Sequence, residues 1–190
     1  MRKILAFMHV SLDGFAAGPQ GEMDWIHVDD EIFDYVGDRT SLSDAALYGR
    51  VTWEMMEGYW PTAADQPNAS KHDIEHARWY NSVQKVVISK SMQGQQKPNT
   101  KFIGNDLERE IAEFKRSGEK DVLIFGSPSA SHSLMKLDAI DEYWLFVNPI
   151  LVGAGTSFFS EINGRVKLKL IKTHAFKSGV VCMHYGRDRS

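Results

Sequence analysis

Cysteine is all but missing from this chain: Cys182 stands alone among 190 residues. That excludes an intramolecular disulfide framework and any metal site built on several thiolates. Cys182 itself falls in an alternating apolar stretch, where a buried, inert thiol is expected. An excess of positive charge is missing too. The 22 Lys and Arg residues are outnumbered by 25 Asp and Glu, for a formal net charge of -3. Nucleic-acid binders carry a basic face, so no nucleic-acid partner is expected. No apolar run is long enough for a bilayer, because the longest, residues 143–155, contains Asn148 and Pro149. Residues 4–10, after Arg2-Lys3, are too short and interrupted for a signal peptide, which points to a cytoplasmic protein without a membrane partner. Neither a hydrolase nucleophile elbow nor a Walker loop occurs.

What is present suits one soluble globular domain spanning residues 1–190. The chain is 43% hydrophobic and 25% charged, ordinary values for that class. Short apolar runs at residues 3–10, 44–48, 85–89, 101–103, 122–125 and 142–147 read as strands. Two longer alternating runs, 166–176 and 180–185, flank Lys177-Ser178-Gly179 and read as a hairpin. Helical patterns cover 30–36, 53–59, 106–116 and 129–137. Strands alternating with helices imply a largely parallel sheet covered on both faces, with the hairpin at one edge. Residues 63–72, rich in polar residues with Pro67 and Asn68, read as a mobile loop.

Five segments could carry chemistry. A buried strand stops at Gly49, and a helix capped by Thr52 follows within a few residues. Backbone N–H groups and the Arg50 guanidinium would then converge where a phosphate is well held. The first strand runs into a loop containing Asp13, Gly14, Ala16, Ala17 and Gly18, beyond a strand carboxyl end where parallel sheets gather ligands. Ala16 and Ala17 would let a flat ring approach, and Asp13 either forms an Asx turn or faces the ligand. Trp25 precedes Asp29 and Asp30, either of which can cap a helix that buries Phe33 and Val36. The alternative is that one of these acids binds a heterocyclic substrate. The strand ends at Ser89-Lys90 and at Gly126-Ser127-Pro128-Ser129 offer hydroxyl, ammonium and amide groups suited to a dinucleotide. His72 and His76 stand at helical spacing, but no third ligand accompanies them and no metal is expected.

Taken in order, these segments resemble the dihydrofolate reductase-like superfamily, and within it the reductase domain of riboflavin biosynthesis and its stand-alone bacterial relatives. The resemblance rests on Ser11-Leu12-Asp13-Gly14, on Gly49-Arg50-Val51-Thr52-Trp53-Glu54, on Gly126-Ser127-Pro128 and on Asp141-Glu142 with Pro149 through Gly155. It implies a three-layer α/β fold, with a central, mostly parallel sheet of about eight strands, flanking helices and a C-terminal antiparallel hairpin. It also implies NADPH as hydride donor. Gly49, Arg50 and Thr52 would hold its phosphates, Ser89 and Lys90 its adenosine end, Gly126, Ser127 and Ser129 its pyrophosphate, and Ala16 and Ala17 would border the nicotinamide. Two cations near a 2′-phosphate favour NADPH over NADH by roughly tenfold or more.

Trp25 and Asp30 keep the five-residue spacing by which folate reductases bind a pterin, and Phe146 is near the place of the threonine that partners the acid there. The segment between Trp25 and Asp30 otherwise departs from the folate pattern, and the deaminase zinc motif of the bifunctional riboflavin enzyme is missing. The expected activity is hydride transfer to a small heterocyclic or carbonyl compound, with Asp30 or Asp13 orienting the substrate or relaying a proton. A non-catalytic nucleotide-binding module and a flavin-type cofactor are the alternatives. Relatives of this branch are commonly dimers, and a homodimer is expected here through Tyr143-Trp144-Leu145-Phe146 and the terminal hairpin.

Overall fold

The computed structural model describes residues 1–162 and 164–190. The chain forms two compact units, residues 1–2 with 28–123, and residues 3–27 with 124–190. Strand β6 (Asp121–Phe125) carries the third passage between them.

In the first unit the sheet strands are β3 (Ser43–Gly49), β4 (Gln84–Ile88) and β5 (Thr100–Ile103), paired in parallel. Ala45, Ala46, Leu47 and Tyr48 have no exposed surface. An uninterrupted apolar run of this kind is what a strand covered on both faces requires. Helix α1 (Asp30–Thr40) is capped by Asp29, whose side chain accepts the Ile32 N–H, and it buries Ile32 and Val36. Phe33, expected in the core, instead stacks on His72 with ring centres 3.6 Å apart.

Helix α2 (Arg50–Glu57) begins earlier than expected. Gly49 is its N-cap through an extended backbone, so Thr52 lies inside the first turn and caps nothing. Residues 63–72 are also more ordered than their composition implied. A 3-10 turn (Trp60–Asp65) buries Ala63, and Ser70 with Asp73 forms a reciprocal capping box that starts α3 (Lys71–Ser82). Helix α4 (Leu107–Arg116) completes the unit, burying Ile111 and Phe114.

In the second unit β1 (Ile4–Ser11) pairs in parallel with β7 (Glu142–Asn148). Strand β10 (Val181–Arg187) is antiparallel to β7, and β9 (Leu168–Ala175) is antiparallel to β10. A separate ribbon joins β2 (Phe15–Ala17) to β8 (Thr156–Ser157), and α5 (Pro128–Lys136) follows β6. The strand order is β5-β4-β3-β6-β1-β7-β10-β9, an eight-stranded and mostly parallel sheet with a C-terminal antiparallel pair. The expected architecture is therefore the observed one. One expectation fails: Tyr143, Trp144, Leu145 and Phe146 lie inside this sheet and are all at most 5% exposed. They cannot form a dimer surface, because β1 and β10 already flank their strand.

Candidate functional site

In the first unit, β3 and β4 run side by side in register, with Gly49 opposite Ile88. Their carboxyl ends therefore bring Gly49, Arg50 and Thr52 next to Ser89 and Lys90. The first-turn N–H groups of α2 have no partner within the helix and carry its positive dipole end. Arg50 is exposed, and its Nη1 pairs with both carboxylate oxygens of Glu54 at 3.0 and 2.9 Å. Lys90 is exposed and has no ion pair among the described residues. Ser89 is buried; its amide donates to Ile103 and its hydroxyl lies 3.2 Å from that of Ser91.

Gly104, which the sequence left unremarked, presses on this turn. It sits at φ +145°, and a Cβ there would lie 3.2 Å from the Ser89 carbonyl carbon and 3.3 Å from the Lys90 nitrogen. A glycine directly after an apolar strand was its only sequence signal. Asp30 occupies the first turn of α1, exposed and with no hydrogen-bond partner among the described residues. Asp29 performs the capping, which leaves the Asp30 carboxylate available. A cavity of about 620 Å³ opens along α1 and α3, lined by Phe33, Asp34, His72, His76 and Trp79 among others; none of the sequence-predicted site residues lines it. No group of His, Cys, Asp and Glu among the described residues could hold a metal ion. Burial pushes the pKa of His76 down to about 3, so that imidazole is neutral.

In the second unit, Asp13 is a loop clamp. Its carboxylate accepts the Ser11 hydroxyl at 2.6 Å and the amides of Val152 and Gly153 at 3.1 and 2.8 Å. The Ser11 bond foremost, and then the two amides, hold the carboxyl below its ordinary pKa. An acid so engaged stays ionised and is a poor proton relay, so the catalytic role considered for Asp13 does not fit its surroundings. Ala16 and Ala17 are nearly buried in the β2–β8 ribbon. Gly155, at φ +133°, packs so closely on Ala17 and Gly18 that a Cβ would lie 2.2 Å from the Ala17 carbonyl oxygen.

After β6 the chain makes a tight turn through two left-handed residues, Gly126 (φ 57°) and Ser127 (φ 61°, ψ 63°). The Gly126 amide donates to the Phe7 carbonyl at 3.1 Å, which seats the turn on β1. Ser127 is buried and Ser129 exposed. A left-handed serine before proline is strained, and such strain gathers at functional turns.

Trp25 is half-buried, and its Nε1 is a buried donor with no partner among the described residues. Phe146 corrects an expectation. It has no exposed surface, being packed on Phe7, His9 and Phe176, so it is a core residue and not a substrate contact.

Comparison with known proteins gives a consistent picture. The profile described as RibD C-terminal domain matches residues 2–182. The uncharacterized protein YyaP of Bacillus subtilis (strain 168) is 30% identical over 186 residues, covering 97% of this chain and 94% of that protein. Among solved structures, a Shewanella sp. PV-4 protein, provisionally described as a riboflavin biosynthesis protein, superposes with a TM-score of 0.73 at 24% identity, over 98% of this chain and 99% of the other. A pyrimidine reductase-like protein from Corynebacterium diphtheriae superposes with a TM-score of 0.68 at 16% identity, over 100% and 93%. At these identities the two structures speak for the fold alone.

Proposed function

The chain belongs to the RibD C-terminal domain family, and from that membership we propose that it is a reductase that uses NADPH to reduce a small heterocyclic or carbonyl compound. The observation that carries this reading is the junction of β3 and α2. There a glycine N-cap with no side chain leaves first-turn amides open to a phosphate, beside Arg50 and Lys90. When bound, NADPH supplies the hydride. In the first unit Gly49, Arg50 and Thr52 would hold its phosphates, and Ser89 with Lys90 its adenosine end. In the second unit Gly126, Ser127 and Ser129 would hold the pyrophosphate, and Ala16 with Ala17 would border the nicotinamide.

For the substrate, Asp30 is the acid of choice, since Asp29 caps the helix and Asp13 is committed to its loop. Asp30 would hydrogen-bond a pterin-like or pyrimidine-like ring and orient it for hydride transfer. The orphaned Trp25 Nε1 donor is a further group that a polar ring could satisfy. No described helix is long and apolar enough to cross a membrane, and we place the enzyme in the cytoplasm as a homodimer. The dimer surface we favour is β9, one of the two edge strands, on which Leu168, Leu170 and Ile171 are 38%, 52% and 53% exposed.

Titration with NADPH and NADH, followed through the five tryptophans, tests the cofactor. Micromolar binding of NADPH with weaker binding of NADH is expected, and failure of both to bind refutes the proposal. Asp30→Asn then separates catalysis from mere nucleotide binding. It should leave NADPH affinity in place while lowering turnover by roughly 10²–10⁴-fold, the usual contribution of a positioned acid or base.

A further inference from the structure

Strand β1 sits between β6 and β7 in the sheet, yet one of its faces is incompletely covered. Ala6, Met8 and Val10 are buried, whereas Phe7 and His9 are only half-buried. A strand in the middle of a parallel sheet is ordinarily sealed on both faces. The register sets Phe7 beside Trp144, His9 beside Phe146 and Ser11 beside Asn148, so these side chains share one face. On it Trp144, Phe146, Ser11 and Asn148 are buried, and only Phe7 and His9 keep partial exposure. Phe7 lies 5.1 Å from Phe125, 5.3 Å from Trp144 and 5.0 Å from Phe146 between ring centres. The result is an aromatic floor, with the His9 imidazole stacked on Phe146 at its polar edge.

Asn148 decides which nitrogen of His9 carries the proton. Its Oδ1 accepts the His27 N–H at 2.9 Å, so its other terminus is the amide nitrogen. Nδ2 donates to the carbonyls of Phe146 at 3.1 Å and Val10 at 3.3 Å, and it faces His9 Nδ1 at 3.4 Å. Nδ2 has two hydrogens to share among these three neighbours and no lone pair to accept with. A protonated Nδ1 would set N–H against N–H, so the arrangement favours the proton on Nε2. Burial, helped by the charge of His27, lowers the His9 pKa to about 4. The ring is therefore neutral at pH 7, and its Nε2–H has no hydrogen-bond partner among the described residues.

Resting on the reductase proposal, we propose that His9 is a substrate-binding residue whose Nε2–H donates to a carbonyl oxygen or ring nitrogen of a flat heterocycle laid against Phe7. The Gly126 turn, assigned above to the cofactor, is bonded to the Phe7 carbonyl, which brings the two functions to neighbouring positions on β1. A neutral donor suits a neutral acceptor ring. It also strengthens its hold when incoming hydride places negative charge on that acceptor, a form of transition-state stabilisation.

The test uses lumazine, a flat ring bearing carbonyl oxygens and ring nitrogens, with NADP⁺ as the unreactive cofactor. Long-range ¹H–¹⁵N correlation spectra at pH 7 should show His9 as the Nε2–H tautomer, with its Nε2 resonance shifting as lumazine is added. His9→Phe should weaken lumazine binding about tenfold, the worth of one well-placed hydrogen bond. His9→Gln, which keeps an N–H donor, should lose less, and both variants should bind NADP⁺ as the wild type does. An Nδ1–H tautomer, an imidazolium at pH 7, equal lumazine affinity in His9→Phe, or no lumazine binding at all overturns the proposal. If NADP⁺ fails to bind while lumazine binding still depends on His9, the reductase assignment falls and the ligand-binding role of His9 stands.

Discussion

His184 Nε2 lies 2.6 Å from Glu142 Oε2, and Lys3 Nζ meets the other oxygen of the same carboxylate at 2.7 Å. Burial alone would raise the Glu142 pKa. The hydrogen bonds and charges of His184 and Lys3 outweigh it and hold the carboxyl at about 2, below its ordinary 4.5. A carboxylate depressed by folding stabilises the protein fully above its unfolded pKa and loses that contribution as the pH falls through its folded one. Stability should therefore decline between about pH 4.5 and 2. Glu142→Gln should cost on the order of 2 kcal/mol at pH 7 and flatten that acid limb. Urea denaturation across the pH range would check both, and an unchanged acid limb would count against the ion cluster.

Arg50 is bound by Glu54 in an exposed pair, which contributes only a few tenths of a kcal/mol to the fold. Arg50→Ala should leave the thermal midpoint within a degree or two and raise the NADPH dissociation constant about tenfold or more, with little effect on NADH. Glu54→Gln releases the guanidinium and should tighten NADPH modestly. Fluorescence titration of both variants decides the matter, and equal losses for NADPH and NADH would remove Arg50 from the 2′-phosphate.

Ser127 holds a left-handed conformation that a serine adopts at a cost of roughly 1–2 kcal/mol. Glycine relieves that cost but adds about 0.5–1 kcal/mol of unfolded-state entropy. Ser127→Gly should be the more stable protein by about 0.5 kcal/mol, measured as a higher urea midpoint. A lower midpoint would mean that the buried serine side chain stabilises the turn by more than its backbone strains it.

Exposed Ile171 lies on β9, an edge strand of the sheet. If β9 pairs two copies, Ile171→Lys should convert the protein to monomer, since edge lysines oppose strand pairing. Sedimentation equilibrium gives the answer, and a wild-type mass of one chain already contradicts the dimer.

Continuous burial made the sheet legible. Residues 45–48 are apolar because both faces of β3 are covered, and no other element produces so short and uniform a run. The start of α2 was misplaced because Thr52 has the chemistry of a cap, while the backbone of Gly49 does that work without a side chain. Residues 63–72 read as a loop from their polarity, although Ser70 and Asp73 held the spacing of a capping box.

Candidate site residues divided along similar lines. Positions defined by backbone, such as Gly49 and Gly126, were visible as strand-to-helix junctions. Positions defined by side-chain partners were not. Asp13 looks the same in sequence whether it faces a ligand or two amides of a loop about 140 positions away. His9 carried no signal, because its tautomer depends on Asn148, on another strand. Phe146 was drawn toward the substrate by alignment with a threonine, whereas packing on both sides removes it from solvent.

Gly155 bears on how this protein can change over time. With the Ala17 carbonyl 2.2 Å from where a Cβ would stand, no side chain can be introduced there without displacing the Ala17-Gly18 segment. The two loops are thus tied to each other by packing. A chimera that exchanges residues 12–18 between relatives will fold well only if residues 149–157 are transplanted with them, and selection acting on one loop must act on both.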